Sequence, residues 1–252
     1  MEVFQDYAYY YNAFYRDKDY GAESRQVDTL LKRYGEGIKK IINYGCGTGR
    51  HELELSDLGY QCTGIDMSSL MIEIAQKNAG EAGMDIDFSV EDIRTYDPEG
   101  TYDAVISLFH VMSYQNSNQD ILAAFRAARR ALEPGGIFLF DVWYGPGVLS
   151  DQPVVRVKEI EDADNRLVRI AKPVMHDKEN VVDVCYEVLV IDRETGNTKT
   201  ISEVHNMRYF FRPELDFFLR EAGFVLIDNL DCETLGETSY DSWTSYFVAK
   251  AV

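Results

Sequence analysis

An α/β fold, built on a doubly wound parallel sheet that carries an antiparallel β insertion, is what this 252-residue sequence predicts. Three observations carry the prediction. From about residue 22 to 150, short β-branched runs alternate with stretches of helical apolar spacing, the pattern of parallel strands joined by covering helices. From Gln152 to Arg212 the period drops to two, with β-branched and charged residues alternating between turn signals, as in an antiparallel meander. At 46% hydrophobic residues, the chain has enough apolar material for a full-sized core.

Taken in order, the parallel strands read Lys39 to Gly45, Gln61 to Met67, Ile86 to Asp92, Tyr102 to Phe109 and Gly136 to Trp143. Helices are expected at Glu23 to Tyr34, His51 to Leu58, Ser69 to Ala79 and Asn118 to Leu132. Gly35, Gly59 and Glu133-Pro134-Gly135-Gly136 stop helices and turn the chain back. After Pro146 come the meander runs VVRVKEI, LVRIAKPVM, VVDVCYEVLVID and KTISEVHNMRYFF. Their turns fall at Asp164-Asn165, Lys178-Glu179-Asn180 and Gly196-Asn197. A helix from Pro213 to Ala222 and strands from Phe224 to Leu230 and Ser245 to Ala249 then return to the first sheet. The expected division is one α/β domain over 1–150 and 213–252, with 151–212 inserted as a roof over the site or a dimerisation element.

Charge narrows the partners. Forty-three acidic residues against 25 basic ones give a formal net charge of -18, a field that repels phosphate backbones and anionic membrane surfaces. Neither nucleic acid nor a membrane is expected as a partner; a small-molecule acceptor is. Arg126, Arg129 and Arg130 fall at helical spacing and read as a solvated helix face. Cys46, Cys62, Cys185 and Cys232 form no CxxC pair, so neither a metal site nor a disulfide framework is expected. The N-terminal stretch lacks a basic and an apolar region, and no run approaches the roughly 18 apolar residues of a membrane span. These features predict a cytoplasmic protein.

The first chemical signal is Ile41-Ile42-Asn43-Tyr44-Gly45-Cys46-Gly47-Thr48-Gly49-Arg50, an apolar strand ending in a glycine-rich turn that opens a helix. Glycines there permit positive φ and let a ligand approach the backbone where a Cβ would collide. The second strand ends in Asp66, roughly 20 positions beyond the loop, where a carboxylate can grip ribose hydroxyls. The alternative for Asp66 is a helix cap, although Ser68 and Ser69 already offer one. The third strand ends in Glu91-Asp92-Ile93, and Asp92 is open to two roles, accepting from an adenine amine or capping a turn.

In this order, the glycine loop, the two acidic strand ends and the turn Leu132-Glu133-Pro134-Gly135-Gly136 resemble the class I S-adenosylmethionine-dependent methyltransferases. The resemblance spans about residues 38 to 143 and implies a Rossmann-like fold with S-adenosyl-L-methionine as cofactor. It implies that Gly45, Gly47 and Gly49, with Cys46, border the methionine part, and that Asp66 binds the ribose. Met67 would cover a face of adenine, and Glu91, Asp92 and Ile93 its edge, with Leu108 closing the pocket. One departure is Asn43, where the family usually carries an acid; an amide still accepts hydrogen bonds.

The fourth strand runs into Ser107-Leu108-Phe109-His110-Val111-Met112-Ser113-Tyr114, where the resemblance implies that acceptor meets methyl group. Methyl transfer is an in-line displacement from a sulfonium, so the protein supplies proximity and a dry site, and no nucleophile is required. His110 and Tyr114 could orient the acceptor or take its proton, or be packed side chains. Tyr7, Tyr11, Tyr15 and Tyr20 recur at helical intervals over Tyr7 to Tyr20, giving either an aromatic lid or an ordinary packed face. With the β insertion and Lys18-Asp19-Tyr20, this arrangement is similar to bacterial sugar-nucleotide amino-group methyltransferases. By that similarity His205, Arg208 and Tyr209 lie near the acceptor, with Arg208 suited to a phosphate or carboxylate. Alternate members of that strand could instead face solvent. Trp143 and Tyr144 could wall the pocket or belong to the core.

Two other functions stay open. A nicotinamide-dependent oxidoreductase would want a small residue where His51 or Glu52 falls, and neither fits. A non-catalytic protein that keeps the fold and its cofactor is compatible with Asn43. A nucleic-acid methyltransferase is disfavoured by charge.

Overall fold

The structure, a computed structural model, describes residues 8–162 and 164–252. In chain order its elements are α1 (Ala8–Phe14), α2 (Tyr20–Tyr34), β1 (Lys40–Tyr44), α3 (Arg50–Asp57), β2 (Gln61–Asp66), α4 (Ser69–Ala82), β3 (Asp87–Val90) and β4 (Tyr102–Ser107). A 3₁₀ turn at Val111–Tyr114 leads to α5 (Asn118–Arg130), β5 (Leu132–Tyr144) and α6 (Gly145–Ser150). The insertion contributes β6 (Arg156–Glu161), β7 (Asn165–His176), β8 (Val181–Asp192) and β9 (Thr198–Phe210). The chain closes with α7 (Arg212–Glu221), β10 (Phe224–Asp231) and β11 (Thr244–Ala251).

Strands β3, β2, β1, β4 and β5 lie side by side and parallel. β11 pairs antiparallel along β5 from Ile137 to Trp143, and β10 pairs antiparallel with β11. The apolar alternation of β5 explains why both faces are covered. Phe138, Phe140 and Val142 face α5 and α7, where Phe125, Leu215 and Leu219 bury against them together with Phe247 of β11. Ile137 and Leu139 face Val27, Leu30 and Leu31 of α2. Each such aromatic or aliphatic side chain contributes roughly 1.5 to 3 kcal/mol of burial.

The insertion is an antiparallel meander, β6 to β7 to β8 to β9, with turns at the three predicted places. It joins the core sheet only at the tip of β5, where Trp143 and Tyr144 pair with Tyr209 and Phe210. That attachment stands the meander over the carboxyl ends of the parallel strands, where ligands of this architecture bind. Pro173 lies inside β7, yet pairing with β6 stops at Ala171, so the proline withholds no donor from that neighbour.

Local sequence sets the helix starts. Asp19 accepts from the Ala22 N–H at 2.7 Å, so α2 begins at Tyr20, before the expected Glu23. The tyrosine-rich stretch is consequently two pieces rather than one helix: α1 stops at Phe14 and Tyr20 belongs to α2. Tyr7 lies outside the described residues. The Leu132-Glu133-Pro134-Gly135-Gly136 segment is also different from a plain turn. Leu132 already pairs with Tyr102, and Ile137 is the next to pair, with Ala104, so residues 133–136 bulge out of β5. Among the described residues, no helix is long and apolar enough to cross a membrane.

Candidate active site

The glycine loop connects β1 to α3, with Gly45, Gly47 and Gly49 all at left-handed φ of 78°, 55° and 74°. The three glycines have different neighbours. A Cβ on Gly45 would meet Val111 Cγ2 at 2.5 Å, and one on Gly49 would meet the Phe88 ring at 2.8 Å, so those two are set by packing. Gly47 would meet nothing within 4 Å: its bare backbone borders open space. Cys46 is buried, and its N–H and that of Gly45 both donate to the Ile65 carbonyl, at 2.9 and 2.8 Å. The Cys46 thiol is pushed up by burial, which keeps it a neutral packing group.

Asp66 closes this loop from the end of β2. Gly47 N–H donates to its Oδ2 at 3.0 Å and Ser68 N–H to its Oδ1 at 2.9 Å. Each oxygen keeps a further lone pair for an incoming hydroxyl. Burial raises this carboxyl and the two backbone donors oppose the rise. Beside it, Met67 is 59% exposed, an apolar side chain that the described residues leave largely uncovered. Glu91 N–H donates to the Asp66 carbonyl at 3.0 Å, which brings the ends of β2 and β3 together, and Ile93 is buried just beyond.

Asp92 is engaged by a nearby arginine. Arg94 donates to it from Nε at 2.9 and 3.1 Å, from Nη2 at 2.6 Å and from its backbone N–H at 2.9 Å. That set occupies the carboxylate's lone pairs and holds its pKa below the ordinary value. Arg94 also reaches Asp120 of α5 at 3.2 Å, so Asp92 helps tie the loop to the helix.

At the end of β4, Phe109 and His110 both take left-handed φ, 62° and 65°, a conformation that costs non-glycine residues strain and concentrates at functional sites. Asp141 of β5 holds them there. His110 N–H donates to both Asp141 oxygens, at 3.1 and 3.2 Å, and His110 Nδ1 lies 2.5 Å from Asp141 Oδ2. Asp141 escaped the sequence reading, although an acid inside the apolar run Ile137 to Trp143 was a legible signal. On the α2 face of the sheet, His110, Asp141 and Leu108 open on a cavity of about 220 Å³ that Glu23, Glu233 and Tyr246 also line.

Lys18 and His51 converge on Glu23 at that cavity, with Nζ at 2.6 Å and Nε2 at 2.8 Å from Oε2. Burial alone would raise Glu23, but the His51 hydrogen bond and the Lys18 ammonium outweigh it and bring the carboxyl down to about 2. Burial lowers Lys18, whose ammonium stands 3.6 Å from the Phe109 ring centre. Tyr20, its hydroxyl pushed up to about 12 by burial, packs edge-on against His51.

The α1 and insertion residues form a second cluster on the other side of Phe109. Tyr15 meets the Phe109 ring edge-on at 5.2 Å and Tyr11 at 4.6 Å, while Asn12 accepts from Thr48 Oγ1 at 2.9 Å. This pins α1 over the glycine loop. Under the meander, Tyr114 Oη and His205 Nδ1 are 2.7 Å apart, and His205 Nε2 is 3.1 Å from Glu203 Oε2. The relay of Tyr114, His205 and Glu203 is one unit that the sequence showed only as separate residues. Arg169 of β7, also missed, donates to Tyr15 Oη at 3.2 Å and lies against the Tyr186 ring. Trp143 faces His110 with ring centres 6.5 Å apart, at the rim between the two clusters.

Arg208 is placed elsewhere, and Tyr209 is buried in the cluster against which Tyr114 and Trp143 pack. Strand alternation turns His205, Met207 and Tyr209 to one face of β9 and Arg208 to the other. Arg208 is buried on Glu214 of α7 at 3.1 Å and on the Asn116 carbonyl at 3.3 Å, not beside His110. Tyr209 is 1% exposed and packs with Val148, Val182 and Val184.

A family described as the methyltransferase domain matches residues 41–136. A methyltransferase of Geobacillus sp. (strain WCH70) is 29% identical over 141 residues, 56% of this chain and 57% of that protein; the match thus spans little more than half of its length. The dTDP-3-amino-3,4,6-trideoxy-alpha-D-glucopyranose N,N-dimethyltransferase of Streptomyces venezuelae is 26% identical over 221 residues, 86% of this chain and 90% of that one. Among solved structures, the sugar N-methyltransferase KedS8 from Streptoalloteichus sp ATCC 53650 superposes with a TM-score of 0.82 at 23% identity, covering 96% of this chain and 92% of that one. Residues 41–136 thus match a methyltransferase-domain family, and in its motifs and fold the chain resembles the class I S-adenosylmethionine-dependent methyltransferases. Within that class it resembles the enzymes that methylate sugar amino groups. The residues present fit the cofactor: open space at Gly47, an acid with spare lone pairs at Asp66 and an uncovered apolar side chain at Met67.

Proposed function

We propose that this protein transfers a methyl group from S-adenosylmethionine to an amine nitrogen of a small metabolite, with an amino-sugar nucleotide as the favoured class. One observation carries the nitrogen: the cavity at His110 is lined by the carboxylates Glu23, Asp141 and Glu233, which attract a cationic amine and disfavour an anionic oxygen. The name of the Streptomyces venezuelae relative, a dimethyltransferase of an amino-sugar nucleotide, supports the class. Arg169, the guanidinium among Tyr15 and Tyr186, suits a phosphate on that acceptor and takes the part first expected of Arg208.

In this reading Gly45, Gly47 and Asp66 bind the cofactor, which when bound supplies an electrophilic methyl on a sulfonium. An amine attacks only when neutral, so the protein must let a proton leave. His110, held by Asp141, is the group placed to take it. Tyr15, Phe109 and Trp143 exclude water and align the nitrogen, the larger share of catalysis in a displacement. The Tyr114, His205 and Glu203 relay orients the far side of the acceptor.

Incubation with labelled S-adenosylmethionine and a panel of dTDP-amino sugars, the matching dTDP-hydroxy sugars and free amino sugars tests this. Transfer to the amino sugars is expected, fastest with the nucleotide attached. Transfer confined to the hydroxy sugars would refute the nitrogen assignment. Four cysteines without a disulfide support a reducing, cytoplasmic location. The exposed Val154, Val155 and Val157 at edge strand β6 support a second copy as partner.

A further inference from the structure

Behind the glycine loop lies a buried pair that none of these contacts uses. Asn43 is in β1 and Glu52 is in the first turn of α3, 2% and 1% exposed, and Asn43 Nδ2 donates to Glu52 Oε1 at 2.6 Å. The bond leaves Asn43 Oδ1 and Glu52 Oε2 buried with no hydrogen-bond partner. Two such oxygens at one place are costly, and native proteins rarely leave buried acceptors unsatisfied without a reason.

Among the described residues, the ionisable groups facing Glu52 supply it with no counter-charge. Asp66 and Cys62 of β2 and Cys46 of the loop are the ionisable groups whose charge reaches it, and each is anionic or neutral. The basic residues of α3 and α4 are engaged elsewhere: His51 on Glu23 of α2 at 2.8 Å, Arg50 over the Tyr20 ring and Lys77 of α4 on Glu81 at 3.8 Å. Burial consequently pushes Glu52 up to about 7, so that near neutrality it exchanges readily between acid and carboxylate.

We propose that Glu52 is a positioning residue for the cofactor, a carboxyl that gives up its proton to solvent when a positively charged cofactor settles on the glycine loop. The inference rests on the S-adenosylmethionine-dependent reading proposed above. It gives α3 the acidic role for which β1 offers only an amide at Asn43. The exchange balances: one positive charge arrives, one proton leaves, and the buried site holds an ion pair in place of a neutral acid. The bound form is ionised, so raising the pH removes a competing proton, and affinity climbs by roughly tenfold between pH 6 and 8 and then levels off.

Isothermal titration with S-adenosylmethionine at pH 6, 7 and 8, in buffers of differing ionisation heat, counts the protons. Wild type is expected to release part of a proton at pH 7, and less with S-adenosylhomocysteine, which lacks the sulfonium; equal release with both would overturn the charge argument. Glu52→Gln should flatten the pH dependence and abolish the release, and Asn43→Asp combined with Glu52→Gln should recover tight binding. Unchanged proton release in Glu52→Gln would overturn the proposal. Should that variant not fold, infrared difference spectra of wild type decide: a protonated carboxyl band must be present without ligand at pH 6 and disappear on binding. Failure of wild type to bind either nucleoside would instead refute the cofactor reading itself.

Discussion

Asp66 and Asp92 look alike in sequence, each an acid at the end of a parallel strand, and their surroundings separate them. Asp66 keeps lone pairs for a ligand, whereas Asp92 spends its own on Arg94. Asp66→Ala is therefore expected to weaken S-adenosylmethionine binding by about ten- to a hundredfold, the worth of a charged hydrogen bond. Asp92→Ala should lower the melting temperature and leave the dissociation constant within about threefold. Sequence could not tell them apart, because Arg94 stands two residues away and only the chain's path brings its guanidinium back. Glu52 yields a second prediction, in the ligand-free protein. Its folded value of about 7 lies above the ordinary 4.5, so its stabilising effect is complete below about pH 4.5 and fades as pH rises through 7. Denaturant titration at pH 8 should then find Glu52→Gln more stable than wild type, by up to about 3 kcal/mol.

Among the elements, the glycine loop shows how one motif carries two kinds of constraint. Gly45→Ala would drive a Cβ into Val111 in addition to straining a left-handed φ, and should destabilise the fold by about 1 to 3 kcal/mol. Gly47→Ala meets no neighbour, so calorimetry should find a folded protein with a loss of order 1 kcal/mol, while ligand affinity collapses because the methyl group occupies the ligand's approach. The order and type of nearly every strand was legible, since parallel strands flanked by helices and a meander have different apolar periods. Less legible were the break between α1 and α2, made by one Asp19 cap, and the bulge at residues 133–136, made by register. The insertion residues were half legible. His205 and Tyr114 are 91 positions apart, and their contact exists only because β9 attaches at the tip of β5.

For the whole molecule, the attachment of the meander to one end of the parallel sheet brings the insertion to the side of the Phe109-His110 bend where Trp143 and α1 lie. The same attachment leaves β6 as an outer edge, with three exposed valines nearby. If that edge pairs with a second copy, Val157→Lys should shift the mass by light scattering from dimer toward monomer without altering cofactor affinity. A net charge of -18 argues in the same direction as the acidic cavity, toward a cationic amine at the reacting end of the acceptor and away from a nucleic-acid polyanion.

The most direct measurement is a crystal structure grown with S-adenosylhomocysteine. The account predicts nucleoside density beside Gly47, with ribose hydroxyls on Asp66 and adenine against Met67, and the sulfur directed toward the His110 cavity. Density at another place, or a ribose held by groups other than Asp66, would contradict it.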